Sequence, residues 1–345
     1  MATSFIDDHF ARLRDSQPRA LSYCHAHPEN LSSWQNKVRT LVRERLGIPK
    51  MHSAPRLLDA RIESSEEVDG YIRERLLLRT EPDLEVPAFL LRPLGQSGKV
   101  PAVLALHGHG PGKIIPAGLP QDENDRRLIA EGERDYAVQA VRQGYIALAP
   151  DLRGFGELRL KEDIEKNAGC SCQRLSLLAM QIGRNLLGMR VWDLMAAVDY
   201  LQQRPDVDSN RIAATGNSGG GTATLFLAAM DTRIAAAIPS CYFCTWAASI
   251  QAVPHCACNF VPGLSNLIEM YDLAGLVAPR PMLIVAGRED PIFPIEGVEE
   301  AYSRLREIYT AAGCPDRLEL FVGDGGHRYY SARVWPWLQE QFGRP

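Results

Sequence analysis

Short, nearly unbroken apolar runs alternate along this chain with longer stretches in which apolar residues recur every three or four positions. The runs VPAVLAL at 100–106, YIALA at 145–149, IAA at 212–214, IAAAI at 234–238, MLIVA at 282–286 and LELFV at 318–322 are too apolar for strands with one wet face. They predict strands buried on both sides, as in a parallel sheet. Helical periods fill the gaps at 128–143, 190–203, 219–230 and 297–312. Strand and helix therefore alternate from about residue 100 onward, which predicts an α/β fold with a mostly parallel central sheet and helices on both faces. Upstream, RLLDARI at 56–62, YIRERLLL at 71–78 and VPAFLL at 86–91 mix polar with apolar positions, as antiparallel strands at a sheet edge do.

Residues 5–47 read as helical. In SSWQNKVRTLVRERLG, Trp34, Val38, Leu41, Val42 and Leu46 recur at helical spacing, with Ser32 or Ser33 as cap and Gly47 and Pro49 as stop. The predicted organisation is an N-terminal helical extension over 1–55 and one catalytic α/β domain over 56–345. Within it, 155–180 is an insertion, charged and then cysteine-bearing, that could arch over the cleft as a cap. The stretch from Ile234 to Ile268 lacks Asp, Glu, Lys and Arg, but its prolines and polar residues interrupt it too often for a membrane helix.

Composition adds exclusions. Of 345 residues, 46% are apolar and 23% charged, the balance of an ordinary globular chain. A net charge of −4 offers no basic stripe for nucleic acid. The acidic, interrupted N-terminus does not read as an export signal, so the expected compartment is the cytoplasm and the thiols are expected to be reduced. The oligomeric state is open, a homo-oligomer included.

The sharpest chemical signal is Gly216-Asn217-Ser218-Gly219-Gly220, placed after a buried strand and before an apolar helix. That context is the one in which G-x-S-x-G raises a serine hydroxyl above a sheet edge, with the N–H groups of the following helix turned toward a developing oxyanion. A serine needs a base, and the base a carboxylate to orient it. Asp290 follows the strand at 281–287, with Glu289 as its neighbouring alternative. His327 follows the strand at 317–322, with Asp324 as a weaker partner that more plausibly shapes the turn. His109, in the glycine-rich loop HGHG after the strand at 100–106, is expected to supply one backbone oxyanion donor and Gly219 the other. His255, in the uncharged stretch, is a candidate substrate-binding residue; His9, His25, His27 and His52 read as surface or packing residues. Asp151 and Arg153 are expected to pair with each other and hold their loop. Cys170 and Cys172, Cys241 and Cys244, and Cys256 and Cys258 form close sets, but two of the three are C-x-C rather than zinc knuckles, so they are expected to be packing thiols, with no metal and no cofactor.

Taken together, HGHG at 107–110, PDLRGFGE at 150–157, Trp192-Asp193, RPDVDSNRIAATGNSGGG at 204–221, HCACNFVPGL at 255–264, APRPMLIVAGREDPIFP at 278–294 and GGH at 325–327 resemble the α/β-hydrolase superfamily. More narrowly they are similar to its acetyl xylan esterase and dienelactone-hydrolase-like branch, which borders the prolyl oligopeptidase catalytic domains. The resemblance implies an α/β-hydrolase fold and a serine carboxylesterase with Ser218, Asp290 and His327 as triad, acting on a small-molecule ester such as an acylated sugar. The elbow carries serine where dienelactone hydrolases carry cysteine, and Arg328 follows His327 where the deacetylases of this branch carry glutamate. An oligopeptidase-like peptidase is the enzymatic alternative, although 1–99 shows no propeller-blade repeats; an inactive binding protein of the same fold is the other.

Overall fold

The computed structural model describes residues 5–26, 30–48 and 59–345. Nine strands form one sheet: β1 (Ala60–Val68), β2 (Tyr71–Glu81), β3 (Leu84–Pro93), β4 (Val100–Leu106), β5 (Ile146–Pro150), β6 (Val207–Asn217), β7 (Ala236–Ser240), β8 (Met282–Gly287) and β9 (Leu318–Gly323), in spatial order β1-β2-β3-β5-β4-β6-β7-β8-β9. The first three strands and the β3–β5 junction are antiparallel; every other pairing is parallel.

The apolar runs fill two cores because successive side chains of a strand point to opposite faces. Ala102, Leu104 and Leu106 of β4, with Ile212 and Ala214 of β6, pack on one side against helices Leu31–Arg45, Leu186–Gln203 and Gly219–Met230; Val103, Ala105 and Ala213 pack on the other against Tyr136–Arg142 and Ser331–Phe342. β1 departs from the predicted run at 56–62. It is almost wholly exposed, so its residues ESSEEV are polar and carry no apolar signal, while 56–58 lie outside the described residues. The predicted helix at 128–143 is two helices, Glu123–Ala130 and Tyr136–Arg142, because Glu133 takes φ +52° between them. Helix Ser331–Phe342 went unread because Pro336 sits inside it. Within 155–180 the chain forms a short 3-10 turn at Gly156–Leu158 and helices Lys161–Glu165 and Cys172–Gln181. Among the described residues, no helix is long and apolar enough to cross a membrane.

The helix Leu31–Arg45 is capped by Asn30, whose Oδ1 accepts from Ser33 N–H, rather than by Ser32 or Ser33. It is bound to the sheet and its helices by its side chains. Trp34 Nε1 donates to the Leu21 carbonyl, Gln35 Nε2 to those of Gly275 and Ala278, and Arg39 to those of Ala229 and Leu276. Trp34, Val38, Val42 and Leu46 belong to the same core as β4 and β6. Trp34→Ala should therefore destabilise the whole protein by about 3–5 kcal/mol in a single cooperative transition. Denaturant unfolding checks this; an early, separate transition of the N-terminal helices would contradict it.

Candidate active site

The loops at the carboxyl ends of β4, β6, β7, β8 and β9 meet at one edge of the sheet, where ligands of open α/β sheets bind. At the end of β6, Ser218 holds φ +59° and ψ −119°, a conformation costly for a non-glycine residue. Its neighbours hold it there. A Cβ on Gly216 would stand 2.2 Å from the Leu106 carbonyl oxygen, and one on Gly220 1.8 Å from the same atom. The absence of both side chains lets the strand, the turn and the helix Gly219–Met230 close onto β4. Ser218 N–H donates to the Ser240 carbonyl at 2.9 Å, and its own carbonyl accepts from Thr222 N–H at 2.9 Å. The residue is half-buried, and among the described residues its hydroxyl has no hydrogen-bond partner.

The loop after β4 lies against this elbow. A Cβ on Gly108 would come within 2.6 Å of the Asn217 carbonyl, and the His109 backbone nitrogen is 3.6 Å from where a Gly219 Cβ would be. The two expected oxyanion donors are thus neighbours beside Ser218. His107 braces the loop from below. Its Nδ1 bonds the Gly108 carbonyl at 2.8 Å, and its Nε2 accepts from Leu152 N–H at 2.9 Å. Burial pushes its pKa down to about 4, with the Asp151 carboxylate opposing only in part.

The candidate acid and base come from the last two strand ends. His327 Nδ1 is 2.7 Å from Asp290 Oδ2, and Asp290 Oδ1 accepts from the N–H groups of Ile292 and Phe293. Burial alone would raise the Asp290 carboxyl. The hydrogen bond and charge of His327, joined by the two N–H donors, override it and hold the group below the ordinary carboxylate range. Glu289 is exposed, and Asp324, also exposed, faces Arg288 at 3.5 Å. No hydrogen bond joins the Ser218 hydroxyl to His327, a contact that commonly tightens only with substrate bound.

Several residues at this edge escaped the sequence reading. Phe293 stacks on the His327 ring, centroids 6.0 Å apart and planes 18° from parallel, and Arg134 donates to the His327 carbonyl at 3.1 Å. Phe293 stands three residues after Asp290, the only sequence signal either residue offered. His255 packs its ring 5.4 Å from Phe293 and its Nε2 3.1 Å from Ser249 Oγ; burial, then the imidazoles of His109 and His327, push its pKa down. The expected pair between Asp151 and Arg153 does not form. Asp151 accepts from Lys113 Nζ and Lys113 N–H, each at 2.8 Å, whereas Arg153 forks onto Asp193 at 2.6 and 2.7 Å, because the chain turns between the two residues and sends them to different neighbours. The cysteine sets are redistributed, with Cys256 and Cys258 staying together and joined by Cys172. Cys172, Cys256 and Cys258 gather with His109, whereas Cys241 Sγ lies 3.1 Å from the Arg328 carbonyl.

A family model described as the Abhydrolase family matches residues 9–324. The chain belongs to the Abhydrolase family. It is 30% identical over 270 residues, 76% of this chain and 84% of the other, to YtaP of Bacillus subtilis (strain 168), a protein named provisionally as a hydrolase. Solved structures share the fold, two of them as follows. One, from Bacteroides fragilis NCTC 9343 and described as a candidate acetyl xylan esterase, superposes with a TM-score of 0.81 at 20% identity, covering 99% of this chain and 95% of that one. The methylesterase BT1017 superposes with a TM-score of 0.72 at 22% identity, covering 94% of this chain and 68% of that one. The α/β-hydrolase fold expected from the motifs is the fold observed.

In this Abhydrolase-family chain His107 stays neutral in the folded state, and that has a pH signature. An unfolded histidine takes up a proton near pH 6.5, while the folded His107 resists it down to about 4. Its contribution is therefore complete above pH 6.5 and is lost as pH falls toward 4. Thermal melts from pH 7.5 to 4.5 should show a shallower acid decline for His107→Gln than for the parent; parallel curves would contradict the assignment.

Proposed function

We propose that this chain is a serine carboxylic ester hydrolase that works through an acyl-enzyme and accepts acylated or esterified saccharides. The observation that supports it most is the Asp290–His327 pair at 2.7 Å, at the same sheet edge as a serine held at φ +59°. Ser218 Oγ attacks the ester carbonyl carbon as its proton passes to His327 Nε2. The carbonyl oxygen gains charge and is received by the N–H groups of His109 and Gly219, each donor contributing about 3–4 kcal/mol when aligned. The C–O bond to the alcohol breaks, and His327 returns its proton to the departing oxygen. Water, deprotonated by His327, then attacks the acyl carbon; the C–Oγ bond breaks, and His327 passes that proton to Ser218 Oγ, releasing the acid and restoring the serine. Asp290, ionised, holds Nδ1–H and stabilises the imidazolium; its depressed pKa keeps it ionised well below neutrality. Every atom and proton is accounted for by these side chains.

The saccharide class is suggested by the solved structure described as a candidate acetyl xylan esterase, whose fold this chain shares. His255, half-buried beside Phe293 and near His327, is our candidate for the alcohol side of the substrate.

Ser218→Ala should lower kcat on p-nitrophenyl acetate by about 10⁴-fold or more, abolish the pre-steady-state burst and leave the melt at or above the parent's, since a strained serine is relieved of no hydrogen bond. A parent protein without turnover on any ester would favour the inactive, ligand-binding reading. Asp290→Asn should cost about 10⁴-fold in kcat with the fold retained, because the imidazole loses the acceptor that sets its tautomer; a loss below tenfold would remove Asp290 from the mechanism. A panel of O-acetylated and methyl-esterified sugars, compared by kcat/KM, decides which ester is cleaved.

A further inference from the structure

The side chains of three cysteines and a histidine from three separate loops converge beside the site without a role in the chemistry above, in which His109 acts only through its backbone N–H. His109 comes from the loop after β4, Cys172 from the start of the helix Cys172–Gln181 in the insertion, and Cys256 and Cys258 from the long loop after β7. Their ligand atoms, one per residue, all lie within 4.8 Å of one another. Cys258 Sγ is 3.4 Å from His109 Nε2 and 3.4 Å from Cys256 Sγ. We propose that these four residues, His109 Nε2 and the sulfurs of Cys172, Cys256 and Cys258, bind one zinc ion in a closed tetrahedral site that ties the oxyanion loop to the insertion and to the loop after β7.

The spacing is that of a ligand shell. Metal–sulfur bonds of about 2.3 Å at tetrahedral angles set ligand atoms roughly 3.8 Å apart, and bonded sulfurs would be only about 2.05 Å apart. All four groups are available, since the three thiols are not in disulfides and His109 Nε2 faces Cys258 Sγ. Soft sulfur with one imidazole selects zinc over magnesium or calcium, and four protein ligands leave no open position, the mark of a structural rather than a catalytic zinc.

Charge supplies an independent argument. Arg190 is 2% exposed, and its guanidinium donates to the Arg153 carbonyl at 2.9 and 2.7 Å and to Cys172 Sγ at 3.1 Å, with its plane over Phe155. A buried guanidinium needs an anion. Three thiolates around a divalent ion carry one net negative charge, which Arg190 balances from the second shell as outer partners of metal sites do. The Phe155 ring stands edge-on to His109, centroids 5.0 Å apart, and fixes the imidazole's tilt.

The inference stands apart from the esterase reading, since an inactive Ser218→Ala protein should bind the ion equally well. Protein purified without chelator should carry one equivalent of zinc per chain by elemental analysis. Cys172→Ser and Cys256→Ser should each lose it, whereas Cys244→Ser, a buried thiol facing the Pro294 carbonyl, should keep it. Should the ligand variants fail to fold, cobalt titrated into chelator-treated parent protein should give a thiolate-to-cobalt charge-transfer absorption saturating at one equivalent, and zinc should restore a melt lowered by the chelator. Metal-free protein that shows no cobalt–thiolate absorption would overturn the proposal. So would a disulfide among Cys172, Cys256 and Cys258 in the intact mass of freshly purified protein.

Discussion

The geometry of this site depends on how closely the β6–helix turn approaches the end of β4. The Leu106 carbonyl occupies space that a methyl group on Gly216 or Gly220 would need, at 2.2 and 1.8 Å. Interiors are close-packed, so such a clash can be relieved only by moving the strand or the helix. The contact places Ser218 in a backbone region that a serine would not choose, and hydrogen bonds to Ser240 and Thr222 on either side keep it there. The loop carrying His109 leans on the same turn through Gly108, so the proposed nucleophile and the proposed oxyanion donors share one rigid seat.

Around that seat, the buried charges are spent on loops rather than on chemistry. Lys113, 2% exposed, is held by Asp151 and Glu157; Arg153 by Asp193 and Glu81; Arg190 by a carbonyl and a thiol. Removing one partner of such a pair strands a charge, which costs far more than the pair contributes. These networks join the loop after β5 to the loop after β4 and to the helix Leu186–Gln203, so the cleft's floor is tied together by ion pairs while the sheet beneath it is tied by packing. The Asp290–His327 pair differs in having an open side toward the cleft, with the imidazole only partly buried.

Legibility followed burial. β4, β8 and the second half of β6 were evident because strand segments covered on both faces are largely apolar. The exposed β1 was read too early in the chain because solvent on both faces leaves no pattern to read. The helix ending at Arg142 was read as one with its predecessor because a positive φ at Glu133, the break itself, has no signature in a non-glycine residue. Asp151 and Arg153 were read as partners because they are close in sequence, yet at a tight turn two residues apart face different walls.

By itself, the sequence determined the fold class and marked the elbow serine, a carboxylate pair and an imidazole as candidates, because each is set by local rules: apolar period, glycine flanks, and position just beyond a strand. Tertiary structure alone decided that Asp290 rather than Glu289 meets His327, that Phe293 and Arg134 hold that histidine, and that one member of each of two C-x-C sets, a second cysteine from the latter set and His109 share a single pocket. Those are meetings between loops far apart in the chain, and no spacing records which loops the sheet will bring side by side.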